Sequence, residues 1–438
     1  MIVAFVTLIV LARDMGFRGD DWDLIVNRSL ASPASWMTSF NEQWVAVPAV
    51  IFRAIFAVVG MHSYLPYLAV LLGLHLLVAE AIRRIATAMS GPIVGYLAAT
   101  LILFLGVGSE NLTWAFQIGM VLATAAGFWA VESVAFHRRP QLAALLLTLA
   151  VASHAIGAVF VAICLIVALV LRLGTAAIAW LLLPALALLA WLLAYGLPVL
   201  VPRSTTFVHS LPAVPSFVGA GFAWAAGGVF GLGPFAGALL LLSLVIVAWR
   251  VHRRASWAAL AAGGFVGLVA EYVLISISRA QFGTIAAGWS RYLYVAVPLV
   301  IITLSAWFGN LGGLPVRWNQ TGAVALAGLT AAAVIGNLRY DVLNRDLQLE
   351  HVQRARAAAA IVTWAADLES WNQDLQLPTP GVLRALIAAN GTPARDDLLP
   401  AVVPDVPPDL ALQTCTQLVP FRPIDACLAA VKEGVGAN

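Results

Sequence analysis

The chain has 438 residues, of which 62% are hydrophobic and 10% charged, with a formal net charge of +3. Soluble domains carry about 25% charged residues. At a mean hydropathy of +0.93 the apolar surface exceeds what a soluble fold hides. The composition therefore reads as an all-α polytopic membrane protein and excludes a soluble enzyme, a nucleic-acid binder or a disordered scaffold as whole-chain readings.

Apolar runs predict membrane crossings at 1–12, 62–82, 91–108, 115–136, 141–153, 155–171, 175–196, 234–249, 256–276, 291–308 and 321–338, about 11 in all. Arginine breaks punctuate them at Arg83-Arg84, Arg138-Arg139, Arg172, Arg250 with Arg253-Arg254, and Arg317. The positive-inside rule puts these short loops in the cytoplasm. Each neighbouring pair of breaks then encloses an even number of crossings. Two further apolar stretches, 45–60 and 216–232, break that alternation if counted, and read as interfacial or re-entrant helices on the outer side. Arg53 in the first suits an amphipathic surface helix.

The first run is short. Twelve helical residues rise about 18 Å, against about 30 Å of hydrocarbon. Either the helix is half inserted or the true start lies upstream of Met1, and the second is the expectation. No basic segment precedes the run and no small-residue cleavage site follows it, so a cleaved signal peptide is not expected. Of the 24 basic residues only Lys432 is lysine, which with abundant alanine suggests a GC-rich bacterial genome. Cys164 lies in an apolar run and reads as core.

Residues 1–338 hold nine carboxylates, and Asp14, Asp20, Asp21 and Asp23 fall within ten positions of the first external loop, about 13–61. Like charges so close raise one another's pKa or call for a cation, and Arg13, Arg18 and Arg28 stand nearby. The cluster reads as a solvated loop end or as a catalytic base at the membrane surface. It also offers a weak divalent-metal site, which is not the favoured reading. Further along, Glu42 reads as a second acid or a sugar-hydroxyl acceptor and Trp44 as a sugar-stacking ring. Each has a plainer reading as an interfacial or solvated neighbour.

In the second external turn, Glu110, Trp114 and Gln117 are spaced to share one helical face. They suggest either a polar pocket opening outward or hydrogen bonding between helices. His154 is a lone histidine at the outer end between two short spans. The last external loop carries Arg279 and Arg291, on the side the positive-inside bias disfavours, with Tyr292 beside the second. Arginine forks bind phosphate oxygens in bidentate fashion. A structural pair with Glu271, two turns before Arg279, is the competing reading.

Residues 339–438 hold 8 basic and 12 acidic residues and nine prolines between 378 and 423. They read as a small C-terminal extracytoplasmic domain, helical near 350–376, following a membrane domain at 1–338. An external tail permits a Cys415–Cys427 disulfide, worth about 3 kcal/mol in the chain-entropy model. Two free thiols are the alternative.

An acidic loop first and an arginine loop late, both external, suit a transferase whose leaving group is a lipid phosphate. A carboxylate takes the acceptor's proton and arginines meet the charge on the departing phosphate. The chain has no P-loop, no GxSxG elbow and no HExxH. In Asp20-Asp21 after the first span, the helix at 45–60, Arg291-Tyr292 followed by Pro298, and the external tail, residues 1–338 resemble the type C (GT-C) polytopic membrane glycosyltransferases. The resemblance implies a bacterial cytoplasmic-membrane enzyme taking a sugar from a polyprenyl-phosphate donor to an envelope glycan, lipid or protein acceptor. It implies Asp20 or Asp21 as base, and Arg279 and Arg291 on the lipid phosphate. Asp23, Arg18 and Tyr292 stand with them as candidate substrate contacts. The short first span and the lack of lysine in 1–338 depart from the pattern. Two other readings are a transporter or flippase of envelope lipids or polymers, and a non-catalytic partner in envelope biogenesis. The polar residues cluster at the outer face, and no internal repeat is evident, which favours surface chemistry over transport.

Overall fold

The computed structural model describes residues 1–200, 208, 210–239, 241, 258–308, 316–364 and 377–390. Cys415, Cys427, Arg250, Arg253 and Arg254 lie outside them, as does most of the stretch 234–249. Among the described residues the regular structure is helical, apart from one isolated bridge between Phe40 and Gln43. The helices are α1 (Ile2–Ala12), α2 (Asp21–Val26), α3 (Pro33–Met37), α4 (Ala46–Val59), α5 (Leu65–Ser90) and α6 (Pro92–Leu103). Next come α7 (Glu110–Thr113), α8 (Ile118–His137), α9 (Pro140–Val151), α10 (Gly157–Val170) and α11 (Thr175–Trp191). Then follow α12 (Leu197–Leu200), α13 (Val214–Gly228), α14 (Ala258–Arg279), α15 (Ser290–Phe308), α16 (Val316–Trp364) and α17 (Pro380–Asn390).

Local chemistry sets many of these ends. Proline opens α3, α6 and α9, where its missing N–H costs nothing and its fixed φ suits the first turn. Gly91, at φ +90°, lets α5 turn straight into α6. Among the described residues, five stretches are long and apolar enough to cross a membrane: Leu65–Ser90, Ala115–His137, Thr175–Gly196, Ala258–Phe282 and Gly322–Leu349. The chain is thus an all-α protein with membrane-spanning helices. The apolar helices α1, α4, α6, α9 and α10 are shorter, at 11 to 14 residues.

The centre of the bundle is α8, flanked by α5, α9 and α10. Close approach there depends on small residues. A side chain at Gly127 of α8 would overlap the Phe160 ring of α10. On α14, Gly263 and Gly267 face Val167 and Ile163 of α10, and Gly264 faces Thr303 of α15. Small residues one turn apart let backbones approach where apolar burial alone gives no drive between helices. Cys164 is fully buried in the same layer.

Two ends of the bundle differ in chemistry. At the far end of α5, Arg83 pairs with Glu80 and Arg84 with Glu132 of α8, which His137 also meets. At the other end lie the first loop, the segment 104–117, the turn 152–156 and the segment 280–289. Helix α16 packs on the segment 104–117 and reaches the first loop. At about 1.5 Å per residue its 49 residues span about 73 Å, and the helix passes unbroken through residue 339.

Candidate functional site

The first loop folds back on itself around its charges. Asp20 precedes α2, and Asp21 is its first residue. Successive helical side chains diverge by about 100°, so the two carboxylates part. Asp21 turns inward and is fully enclosed. Its Oδ2 accepts the Arg18 backbone N–H at 3.1 Å and the Tyr64 hydroxyl at 3.0 Å. That hydroxyl oxygen in turn accepts the Ala115 N–H at 2.8 Å. Asp21 thereby ties the loop to the start of α5 and to the segment after α7. Burial pushes its carboxyl up to about 7, against the pull of Arg18.

Asp23 turns the other way. It accepts from Arg28 Nε at 3.1 Å and Asn27 Nδ2 at 2.8 Å. The buried Arg28 also donates to the Ser35 and Thr38 carbonyls and to Thr38 Oγ1, so it pins α3 to α2. Asp14 is held by Arg345 of α16 at 2.7 Å. Asp21 is thus enclosed and Asp23 is engaged by a cation. Among the described residues no group of three or more His, Cys, Asp or Glu is placed to hold a metal ion.

Asp20 remains partly exposed and looks toward residues far away in sequence. Burial pushes its carboxyl up to about 6; Arg291 and Arg279 pull it down, and Asp23 and Glu110 push it further up. These five charges therefore share one electrostatic neighbourhood. Arg291 Nη1 stands 3.8 Å from Glu110 Oε1, too far for a hydrogen bond. Its guanidinium lies 5.1 Å from the Trp289 ring centre and 5.5 Å from that of Tyr292. Its Nε is buried and has no partner. Arg279 Nε donates to the Tyr292 hydroxyl at 3.1 Å. A carboxylate with a raised pKa thus sits in the field of two guanidinium groups, one of which, Arg291, keeps an unpartnered Nε.

Behind this group Arg18 is buried, its guanidinium 5.6 Å from the Trp114 ring centre. Trp114 Nε1 donates to the Arg18 carbonyl at 3.2 Å. Arg18 also donates to Gln348 Oε1 of α16, which accepts Thr113 Oγ1 as well, at 2.9 Å. Asn344 of α16 donates to Ser109 Oγ at 2.9 Å, and Asn337 Oδ1 accepts the Val107 N–H at 3.0 Å. Gly106 is required here, since any Cβ would overlap the Asn337 carbonyl. The polar residues 337, 341, 344, 345 and 348 repeat at helical spacing. That periodicity is the sequence signal that marks this face of α16. Ser290 adds a further brace by accepting the Glu110 N–H at 3.1 Å.

The shared helical face expected for Glu110, Trp114 and Gln117 is not formed. Helix α7 ends after one turn, Trp114 is extended at φ −120° and ψ 111°, and Ala115–Gln117 forms a 3-10 turn. Glu110 therefore meets Arg291 and Trp114 meets Arg18. Gln117 is buried and accepts from Asn111 Nδ2 at 3.4 Å. Glu42 and Trp44 belong to a separate feature. Asn41 and Glu42 have φ of 44° and 63° and form a two-residue turn closed by Phe40 and Gln43. One face of Trp44 stacks on Trp191, with centroids 5.8 Å apart and planes 7° apart.

No protein-family model, curated protein or solved structure matches the chain.

Proposed function

We propose that the chain is a membrane glycosyltransferase that moves a sugar from a polyprenyl-phosphate donor to a cell-envelope acceptor. The feature that supports this reading is the electrostatic neighbourhood that Asp20 shares with Arg291 and Arg279, about 260–270 residues later in the sequence, together with the approach of Arg291 to Glu110. In the proposed step the acceptor hydroxyl attacks the sugar's anomeric carbon and its proton passes to Asp20. The bond from that carbon to the phosphate oxygen breaks, and polyprenyl phosphate leaves with the electron pair. Arg291 and Arg279 meet the charge that grows on the leaving oxygen, where fixed donors act most strongly. Asp21 and Asp23 serve to shape the loop.

The basic turns at Arg83-Arg84 and Arg138-Arg139 support a cytoplasmic far end. The reading then puts the site at the outer face of a bacterial cytoplasmic membrane, in a bundle of about 11 crossings. The test is transfer from a panel of radiolabelled polyprenyl-phosphate sugars by the protein in lipid, with an envelope fraction as acceptor. Transfer that falls in Arg291→Ala supports the reading, and no transfer from any donor contradicts it.

A transporter or flippase is the second reading, and Glu271 favours it. This residue of α14 is fully enclosed, and both its carboxylate oxygens are without a partner. Carboxylates inside membrane segments commonly mark transport pathways. Lipid movement in proteoliposomes that Glu271→Gln stops and Asp20→Asn spares would establish that reading.

A further inference from the structure

The pair between Arg291 and Glu110 is open where similar pairs are closed. Arg83 meets Glu80 and Arg345 meets Asp14 at 2.7 Å, and Arg84 meets Glu132 at 2.8 Å. These are ordinary lengths for a guanidinium on a carboxylate. Arg291 Nη1 stops 3.8 Å from Glu110 Oε1. Their side chains are 26% and 22% exposed, much as in the closed Arg83–Glu80 pair at 25% and 30%. Arg13 also stops short, 3.7 Å from Asp14, but at 67% exposed it stands largely in water. Solvent therefore does not account for the gap at Arg291.

Both sides of the gap are fixed. Glu110 opens α7, and its N–H, an orphan donor at a helix start, is taken by Ser290 Oγ at 3.1 Å. That oxygen lies 3.5 Å from Ser109 Oγ, which accepts from Asn344 of α16 at 2.9 Å. Gly108 approaches α15 so closely that a Cβ there would stand 2.9 Å from the Tyr294 ring. On the other side, Trp289 is extended, at φ −62° and ψ 139°, just ahead of α15. Its carbonyl accepts the Tyr292 N–H at 2.9 Å. Its ring stacks on that of Tyr292, with centroids 6.0 Å apart and planes 18° apart. Phe282 supports the Trp289 ring at 5.7 Å, and Gly288 packs on Trp224 of α13, whose ring a Cβ would overlap. The Arg291 guanidinium lies over both rings of this stack, at the 5.1 and 5.5 Å given above. A ring face attracts a cation within about 6 Å of its centre, and it does so without taking an N–H as a carboxylate does.

We propose that Trp289 is a positioning residue: with Tyr292 it holds the Arg291 guanidinium short of Glu110, so that the arginine meets a phosphate oxygen instead of closing on the protein's own carboxylate. This rests on the anionic-substrate reading given above. An anion arriving at a closed pair must first break it, which weakens binding. An open pair carried on two rings is ready for the anion, and Glu110 is the internal competitor that the rings keep at a distance.

The test uses the full chain with 15N-labelled arginine in lipid nanodiscs at pH 8, the Arg291 signal being assigned by its loss in Arg291→Gln. Without ligand, the wild-type Arg291 Nε–H proton should show the upfield shift of a group lying over a ring face. Trp289→Leu should move it downfield, toward a carboxylate-bonded guanidinium, and Trp289→Tyr, which keeps a ring face, should hold it near the wild-type position. Binding of polyprenyl monophosphate, followed by the same signal, should weaken in Trp289→Leu by several-fold to about thirtyfold, the scale of a partly desolvated cation–π contact. Adding Glu110→Gln to Trp289→Leu should recover most of that loss, because the competing carboxylate is gone. A ring that served only the fold would give no such recovery. A wild-type signal without the ring shift overturns the proposal. So does unchanged lipid binding in Trp289→Leu, or a loss that Glu110→Gln leaves in place. If the lipid binds in the expected order but no sugar is transferred, the transferase reading fails and the positioning assignment stands. If the lipid leaves the Arg291 signal unmoved in every form, the anionic-substrate reading fails and takes the proposal with it.

Discussion

Asp20 gives the account its most quantitative consequence. Enclosure raises its carboxyl from 3.8 to about 6, which corresponds to about 3 kcal/mol disfavouring the charged form at 1.36 kcal/mol per pH unit. The folded protein therefore holds this proton more tightly than the unfolded chain. A base acts only when deprotonated. With a pKa near 6, roughly one Asp20 in eleven is ionised at pH 5 and roughly ten in eleven at pH 7, so turnover should rise about tenfold across that interval. The neighbours fix how this limb responds to substitution. Arg291 lowers the Asp20 pKa and Glu110 raises it. Arg291→Gln should therefore move the limb to higher pH, and Glu110→Gln should move it to lower pH. The assay is kcat/KM for donor turnover in lipid at fixed ionic strength from pH 4.5 to 8. A flat profile in the wild type refutes the reasoning, and so do limbs that move in the same direction in the two variants.

Other substitutions separate anchors from chemistry. Tyr64→Phe leaves the buried Asp21 carboxylate and Ala115 N–H each short of a partner, a loss of about 1–3 kcal/mol. Thermal unfolding in detergent should shift down by several degrees. Arg28→Ala removes the cation from Asp23 and the bonds that pin α3, at about 3–5 kcal/mol if the pair behaves as a buried one. Limited proteolysis should then cut between residues 27 and 45 much faster than in the wild type. Gln348→Ala removes the acceptor that Arg18 and Thr113 share. It should lower turnover with little change in donor affinity, read from KM and kcat separately.

The helices were legible because apolar runs broken by Arg, Pro and Gly leave few alternatives. The stretches at 175–196 and 115–136 coincide with helical segments of the structure to within a residue or two. The stretch 45–60 coincides with α4, whose Ala49 and Phe52 are buried while Val58 is exposed. The acidic loop and the two arginines were legible as unusual placements of charge. Their division of labour was not. Asp20 and Asp21 differ only in which way a helix start turns them, and that depends on Tyr64, more than 40 residues away. The stacking of Trp44 on Trp191 was not legible because the two are distant in sequence. The spacing of Glu110, Trp114 and Gln117 misled because one extended residue, Trp114, breaks the helix that spacing assumes. The bracing from α16 was missed because the charged residues from 339 onward read as the start of a separate soluble segment. Only the spacing of Asn337, Asp341, Asn344, Arg345 and Gln348 shows the stripe.

The most direct test of the central claim compares Asp20→Asn with Asp21→Asn in one transfer assay, using a radiolabelled polyprenyl-phosphate sugar and protein reconstituted in lipid. The account predicts that Asp20→Asn loses about 10²–10⁴-fold in kcat, as expected for removal of a general base, and still binds donor and unfolds at or above the wild-type temperature, since a neutral side chain does not carry the cost of the enclosed charge. It predicts that Asp21→Asn changes the unfolding temperature and retains measurable turnover. Full activity in Asp20→Asn would contradict the account.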